Sequence, residues 1–165
     1  MKIGSLKELL AHELADLYSA ENQLVEALPK MVEATKNAEL KDAFEVHFDE
    51  TIQHVARLEK VFEILDISPH GHKCKGMEGL LKEGKELLKA DIEDHVLDAA
   101  LIGAAQRVEH YEIAGYGVAR TFAERLGNSA AASILQSTLD EEGATNKKLT
   151  SIAQRVNVEA QKITT

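Results

Sequence analysis

The sequence predicts an all-α protein: a ferritin-like four-helix bundle with a long crossover that carries a short helix between helices 2 and 3. Three observations predict this fold. Apolar residues recur at three- and four-residue spacing along four long stretches, as one face of a helix requires. Only 2 prolines and 10 glycines occur in 165 residues, too few for the turns of an all-β fold. Roughly 30 residues separate the second and third stretches, enough to cross the length of a bundle.

The first two long helices follow each other closely. Ser5 and Glu8 have the spacing of a capping box at the start of the first helix. The apolar face of this helix continues past Pro29, so the proline is expected to kink the helix rather than end it. Asn37 is the predicted N-cap of the second helix, whose apolar face runs to Leu65. The short link between the two helices predicts an antiparallel hairpin.

The crossover and the last two helices complete the predicted bundle. Residues 66–94 form the crossover, with a short amphipathic helix at about 77–90. Asp94 is predicted to cap the third long helix, which ends before Gly127 as its C′ residue. The fourth long helix covers about 129–156, and its short link to the third predicts a second antiparallel hairpin. The whole chain, 1–165, is expected to be one domain.

Composition excludes several classes of function. The 19 Lys and Arg residues against 28 Asp and Glu residues give a net charge of −9, which argues against a nucleic-acid partner. The single cysteine, Cys74, excludes a rubredoxin site, a four-cysteine zinc site and a conventional iron–sulfur cluster. It is predicted to lie in an exposed loop. The longest uncharged run is too short to span a bilayer, and no apolar signal region precedes the first helix. We therefore expect a soluble, cytoplasmic protein with no membrane partner.

Every long helix places at least one carboxylate on its apolar face. Successive residues are rotated by about 100° around a helix, which puts the following side chains on the faces that should be buried: Glu21 on the first helix, His47, Glu50 and His54 on the second, Glu109 and Glu112 on the third, and Glu142 on the fourth. A buried carboxylate costs several kcal/mol unless a cation compensates its charge. Buried Lys or Arg residues do not match these carboxylates in number, and Arg120 is the nearest candidate.

A pair of metal ions would compensate this charge. Glu and His residues on facing helices are the ligands of ferritin-like di-iron and di-manganese sites. The alternative is that the carboxylates are protonated, or that their head groups reach water at the boundary of the core. Tyr111 and Tyr116 flank the carboxylates on the third helix, and we expect them to pack in the core with their hydroxyl groups hydrogen-bonded.

Short stretches along the whole chain carry a resemblance to a known family. They read DLYSAENQL at 16–24, VEHYE at 108–112 and DEE at 140–142, with Glu50-Thr51 on the second helix and CKGMEGL at 74–80 in the crossover. With these stretches the chain resembles the YciE/YciF family of ferritin-like bacterial stress proteins. The resemblance implies a helical bundle, a homodimer, a rubrerythrin-like dimetal site of iron or manganese, and induction under stress.

The resemblance also implies a set of metal ligands, which this sequence matches only in part. The carboxylates of the superfamily pattern correspond to Glu21, Glu50, Glu109, Glu112 and Glu142. The pattern places a histidine three residues after the second-helix and the fourth-helix glutamate, but Gln53 and Thr145 stand there. His47 and His54 are the available imidazoles, and the sequence does not decide between them. One metal position is therefore expected to have a thinner ligand shell than the other, and to be only partly occupied.

Two functions follow from this sequence. The first is a stress-response metalloprotein whose dimetal site acts on oxygen or peroxide. Because one cysteine cannot form a second redox centre, its electrons would come from an external donor or from incoming ferrous ion. The alternative is a non-enzymatic, dimeric helical interaction protein whose metal site is structural or vestigial.

Overall fold

A computed structural model describes residues 3–69 and 71–161 of the chain. Within these ranges it contains five helices and no strand, which confirms the predicted all-α class. The helices, labelled in chain order, are α1 (Leu6–Ala34), α2 (Ala38–Leu65), α3 (Lys75–Leu87), α4 (Asp94–Arg125) and α5 (Ser129–Gln161). The four long helices are α1, α2, α4 and α5, and α3 is the short helix of the crossover.

The helix starts follow the predicted capping residues with one exception. The Ser5 hydroxyl accepts a hydrogen bond from the backbone N–H of Glu8 at 3.2 Å, and the Asn37 side chain accepts from that of Leu40 at 3.1 Å. The prediction for α4 was wrong, because Glu93 is its N-cap residue and makes no side-chain capping bond. Asp94 is instead the first helical residue, where its negative charge still lies close to the positive end of the helix dipole.

The link between α4 and α5 is a Schellman motif. Gly127 has a φ of 76°, a conformation that glycine adopts without steric cost. Its N–H donates to the carbonyl of Glu124 at 3.0 Å, and the N–H of Asn128 donates to that of Ala123 at 2.9 Å. The turn satisfies the last carbonyls of α4 and returns the chain at once, so α4 and α5 run antiparallel.

The packing of the long helices has the connectivity of a ferritin-like bundle. Helix α1 packs against α2 and α4, and α5 packs against the same two helices, so α2 and α4 occupy diagonal corners. The start of α4 lies beside the α1–α2 turn, because the backbone N–H groups of Lys36 and Asn37 donate to the buried carboxylate of Asp98 at 3.0 and 2.8 Å. The crossover therefore runs the length of the bundle, as this connectivity requires.

The bundle interior consists of two apolar layers with a polar layer between them. One apolar layer contains the start of α1 and the end of α2, including Leu10, Leu14, Leu58 and Phe62. The other contains the start of α2 and the end of α5, including Leu40, Phe44, Leu149 and Ile152. The carboxylates that the sequence singled out lie along each helix between these two sets.

The crossover covers one side of the bundle. Met77 and Cys74 are buried against Ala20 and Leu24 of α1 and Val108 of α4. The prediction of an exposed cysteine was therefore wrong. The Cys74 sulfur accepts a hydrogen bond from the backbone N–H of Met77 at 3.3 Å and so caps α3, which draws the thiol into the interface.

In the part of the chain that the structure describes, every helix is too short or too polar to cross a membrane.

Candidate metal centre

Six of the seven predicted ligands converge in the polar layer of the bundle. All six side chains are buried: Glu21 from α1, His47 and His54 from α2, Glu109 and Glu112 from α4, and Glu142 from α5. Helical spacing explains the convergence, because residues seven apart on α2 and three apart on α4 lie on the same face of their helix. The four helices thus each contribute to one polar cluster that is closed at both ends by apolar side chains.

The cluster divides into two groups that share one carboxylate. The four-donor group consists of His47, Glu109, Glu112 and Glu142, and the three-donor group consists of Glu21, His54 and Glu142. In each group one side-chain nitrogen or oxygen from every member lies within 4.8 Å of the others. Each group could therefore hold a metal ion, and each contains one imidazole from α2. The two histidines, which the sequence left as alternatives, belong to different groups.

Short contacts between imidazoles and carboxylates hold both groups together. In the four-donor group, Nε2 of His47 lies 3.3 Å from Oε1 of Glu109. In the three-donor group, Nδ1 of His54 lies 3.0 Å from Oε1 of Glu142 and 3.4 Å from Oε1 of Glu21. The Tyr116 hydroxyl donates to Oε1 of Glu21 at 2.5 Å, which confirms the expected hydrogen bond of that tyrosine. The donor atoms thus point towards one another across the helix interfaces.

Most of these donor atoms make no hydrogen bond with the described residues. The unpaired buried atoms are both carboxylate oxygens of Glu112 and Glu142, one oxygen each of Glu21 and Glu109, both ring nitrogens of His47, and Nδ1 of His54. Leaving a buried charged group without a partner costs several kcal/mol. Carboxylate oxygens combined with imidazole nitrogens suit iron, manganese and zinc. The residues present therefore fit a divalent cation in each group.

Basic side chains do not compensate the cluster. Arg120, the candidate that the sequence suggested, forms its ion pair with Glu124 at 2.7 Å on the partly exposed side of α4. Arg57 pairs with Glu141 at 2.6 Å, outside both groups. Among the described ion pairs, those of the buried carboxylates involve histidines only. The absence of Lys and Arg from these pairs leaves the negative charge of the cluster available to a metal ion.

Glu50 lies apart from both groups. Its side chain is 35% exposed, and its Oε2 lies 3.9 Å from Nδ1 of His47 and accepts a long hydrogen bond of 3.5 Å from the Thr145 hydroxyl. The reason is angular: Glu50 is rotated by roughly 40–60° from His47 and His54 around α2. The structure therefore places this predicted ligand at the edge of the polar layer, where its carboxylate reaches water.

Glu141 contacts the polar cluster from outside both groups, although no pattern in the sequence pointed to it. Its Oε2 lies 2.9 Å from Nε2 of His54, on the side of the ring that faces away from Glu21 and Glu142. Arg57 donates two hydrogen bonds to the same carboxylate, at 2.6 and 2.8 Å. The sequence contains both residues but no signal for the pair, because Glu141 is off the apolar face of α5 and Arg57 lies on another helix.

Comparison with known proteins identifies the family. The family described as "Domain of unknown function (DUF892)" matches residues 5–162. The chain belongs to the DUF892 family. This member is 44% identical to Protein YciF of Escherichia coli (strain K12) over 163 residues, 98% of each chain. The resemblance to the YciE/YciF family is therefore confirmed, and the chain is a homologue of a stress protein.

Solved structures agree with this assignment. The crystal structure of the E. coli stress protein YciF superposes on the DUF892 protein with a TM-score of 0.91, covering 93% of this chain and 98% of YciF. YcfI from Rhodopseudomonas palustris gives a TM-score of 0.87 at 42% identity, covering 90% and 95% of the two chains. A protein from Xanthomonas campestris, 24% identical with a TM-score of 0.75 over 94% and 95% of the chains, shows the shared fold alone.

Burial and mutual charge shift the carboxylate pKa values in this DUF892 protein. Burial raises the pKa of Glu112 well above its ordinary value, and the charges of Glu21 and Glu142 raise it further. Burial also raises the pKa of Glu109, although the charge of His47 acts against it. Glu142 differs, because its close contact with Nδ1 of His54 and the charges of both histidines outweigh its burial and lower its pKa. The shared carboxylate is thus the one among these three whose pKa is lowered.

The histidine pKa values move in the opposite direction from what burial alone would cause. Burial works to lower the pKa of His47, but the charge of Glu109 and the nearby carboxylate of Glu50 outweigh it and raise the pKa to about 9. Burial likewise acts to lower the pKa of His54, but its close contacts with the carboxylates of Glu142 and Glu21 outweigh burial and raise the pKa to about 11. Without metal, the imidazoles therefore carry protons that partly neutralise the carboxylates.

The metal-free protein is expected to be more stable near pH 6 than near pH 9. Histidine in an unfolded chain titrates at about 6.5, so the contribution of His47 is complete below that pH and is lost as the pH rises through about 9. The raised pKa values of Glu109 and Glu112 act in the same direction, because these groups bind protons more tightly in the folded state. At about 1.4 kcal/mol per pKa unit, His47 alone should change the free energy of unfolding by roughly 2–3 kcal/mol over this range.

Urea unfolding of chelator-treated protein at several pH values measures this change. The lowered pKa of Glu142 does not interfere, because its stabilising contribution is lost only below the unfolded value of about 4.3. A free energy of unfolding that stays constant between about pH 6 and pH 9 would contradict the burial of these groups together.

Proposed function

We propose that this DUF892 protein is a stress-response metalloprotein that holds two ions of iron or manganese between its helices. One observation carries the proposal: each of the four long helices contributes buried nitrogen or oxygen atoms that make no hydrogen bond with the described residues, in two groups that share Glu142. A shared carboxylate between two sets of donors suits a pair of ions better than a single ion. The homology to a stress protein supports the biological setting.

Each residue of the cluster has a distinct role in the proposed site. Glu142 would contribute to both ions, and its lowered pKa favours the ionised form that binds a cation. His47, Glu109 and Glu112 would hold one ion, and Glu21 and His54 would hold the other. The Tyr116 hydroxyl keeps its proton and orients Glu21 by donating to Oε1. When bound, such ions supply Lewis-acid and redox chemistry towards oxygen or peroxide.

The surroundings of the site support chemistry that is shielded from water. The apolar layers above and below the cluster exclude solvent along the bundle axis. Glu50, with its side chain 35% exposed, lies at the edge where the polar layer meets solvent, and we propose this edge as the route by which small molecules enter.

Because Cys74 is the chain's single cysteine and caps α3, we propose an external electron donor. We also retain the homodimer as a proposal from the family resemblance.

A titration with Mn²⁺ under anaerobic conditions tests the proposed site. We expect two ions per chain in elemental analysis and two unequal affinities in calorimetry, with the four-donor group filling first because it offers an additional carboxylate. Glu112→Gln should weaken the tighter step, because Glu112 belongs to the four-donor group only. Glu124→Gln is the matched control, since that exposed carboxylate lies on the same helix and pairs with Arg120.

Two outcomes of this titration would contradict the proposal. Protein that binds no ion would favour the alternative of a non-enzymatic helical interaction protein. Two identical affinities would show that the donors are divided differently between the ions. Activity is then measured as peroxide consumption by protein loaded with iron or manganese, with the Glu112→Gln variant as comparison.

A further inference from the structure

A chain of hydrogen bonds leads from the surface of the bundle to the three-donor group. Arg57 of α2 donates to both carboxylate oxygens of Glu141, at 2.6 and 2.8 Å, and to the Thr138 hydroxyl at 3.3 Å. Oε2 of Glu141 in turn lies 2.9 Å from Nε2 of His54. Arg57 and Glu141 are each 32% exposed, whereas the His54 side chain is fully buried. The chain thus links a solvent-accessible ion pair to a buried imidazole.

We infer that Glu141 and Arg57 are positioning residues that hold His54 so that its Nδ1 is the metal donor. This inference rests on the proposed function. A carboxylate can only accept a hydrogen bond, so its contact with Nε2 requires that this nitrogen carry a proton. When the imidazole gives up its second proton to bind an ion, the proton on Nε2 remains and the lone pair is therefore on Nδ1. Nδ1 is the nitrogen that faces Glu142 and Glu21, at 3.0 and 3.4 Å.

Arg57 makes Glu141 a rigid and ionised acceptor. A partly exposed glutamate side chain samples several rotamers, and two parallel hydrogen bonds from a planar guanidinium select one of them. The hydrogen bonds from Arg57 also keep the pKa of Glu141 below its ordinary value, so the carboxylate remains an acceptor at neutral pH. Outer contacts of this kind orient metal-binding histidines and set the basicity of the ligand nitrogen.

The two histidines of the cluster differ in whether a neighbouring side chain orients the imidazole ring. Neither ring nitrogen of His47 makes a hydrogen bond with the described residues, whereas Nε2 of His54 is engaged by Glu141. The oriented imidazole therefore belongs to the three-donor group, which has fewer carboxylates. Fixing the ring and its proton lowers the entropy that this group would lose on binding an ion. We therefore infer that Glu141 and Arg57 raise the affinity of the weaker metal position.

Glu141→Gln tests the inference, with Asp140→Asn as a matched control. Both variants remove one negative charge from adjacent positions on α5, but among the described residues the exposed Asp140 accepts a side-chain hydrogen bond from Gln136 alone. In Glu141→Gln, an amide NH₂ group replaces one of the two acceptor oxygens, so in either orientation it faces a donor of Arg57 or of both Arg57 and His54. Mn²⁺ calorimetry should show affinity at the weaker step reduced by about 10- to 100-fold, as for other outer contacts of metal ligands. The tighter step should be unchanged, and Asp140→Asn should match the wild type at both steps.

A second readout separates positioning from overall stability. In metal-free wild type, the Nε2 proton of His54 should give a downfield NMR signal that is protected from solvent exchange, because it is buried and donates to a carboxylate. The signal should be lost in Glu141→Gln and kept in Asp140→Asn, with unchanged circular dichroism in both. Arg57→Lys, which keeps the charge but not the paired hydrogen bonds, should weaken the protection and the affinity to an intermediate degree.

The outcomes distinguish this inference from the proposed function. If Glu141→Gln matches Asp140→Asn in affinity and keeps the protected proton, the positioning role is overturned while the metal site stands. If wild-type protein binds no Mn²⁺, the proposed function fails and the metal role of Glu141 and Arg57 fails with it. A protected proton in that case would show that the contact serves the structure of the bundle alone.

Discussion

Metal-loaded protein is expected to unfold about 5 to 10 °C above metal-free protein at neutral pH. An ion that binds only the folded state at 100 times its dissociation constant stabilises that state by about 2.7 kcal/mol. For a chain of this length, each kcal/mol moves the melting temperature by about 2–4 °C. The physical reason lies in the buried carboxyl groups of Glu112 and Glu142, whose oxygens make no hydrogen bond with the described residues and would be compensated by a bound cation.

Thermal unfolding with and without a strong chelator measures this difference. The difference in melting temperature should grow with pH, because protons compete with metal ions for the imidazoles and carboxylates. The Glu112→Gln variant serves as a control, since it should show a smaller shift after the same treatment. An unchanged melting temperature in wild-type protein of verified metal content would contradict a metal ion at the buried cluster.

Glu142→Gln is expected to reduce metal affinity at both positions by more than about 100-fold. Changes to outer contacts of metal ligands cost 10- to 100-fold, and Glu142 is itself a member of both groups. Glutamine preserves the volume of the side chain, so the change removes a charged donor without opening a cavity. The two groups would retain three and two donors, respectively.

Glu50→Gln is the matched comparison for this experiment. It removes the same charge from the edge of the polar layer, where the carboxylate belongs to neither group, and it should change either affinity by less than about tenfold. Calorimetry with Mn²⁺ on the two variants provides the contrast. Wild-type affinities in Glu142→Gln would show that the shared carboxylate has been assigned wrongly, and loss of binding in Glu50→Gln would show that Glu50 is a ligand.

Helix positions were predictable because they depend on local sequence. The capping residues Ser5 and Asn37, the apolar periodicity and the glycine at 127 each act over a few residues, and the structure confirms all of them. The crossover helix was also predicted, although it starts at Lys75 rather than near residue 77. The cap of α4 was missed by one residue, since Asp94 and Glu93 offer similar chemistry to a helix start.

The candidate site was predictable in membership but not in arrangement. A glutamate on an apolar face is visible from periodicity alone, and six of the seven predicted ligands are buried together. Glu50 shares the same pattern on α2 yet remains 35% exposed, because a rotation of about 40–60° separates the core from its edge. Periodicity locates a side chain around its own helix and does not resolve such a difference.

The sequence by itself determined the helices, the long crossover and the excess of buried carboxylates over basic side chains. Only the tertiary structure decided that His47 and His54 serve different groups, that Glu142 is common to both, and that Glu141 reaches His54 from outside them. It also decided that Cys74 is buried. The physical reason is that helix formation depends on contacts within a few residues, whereas a metal site depends on how separate helices are rotated and shifted against one another.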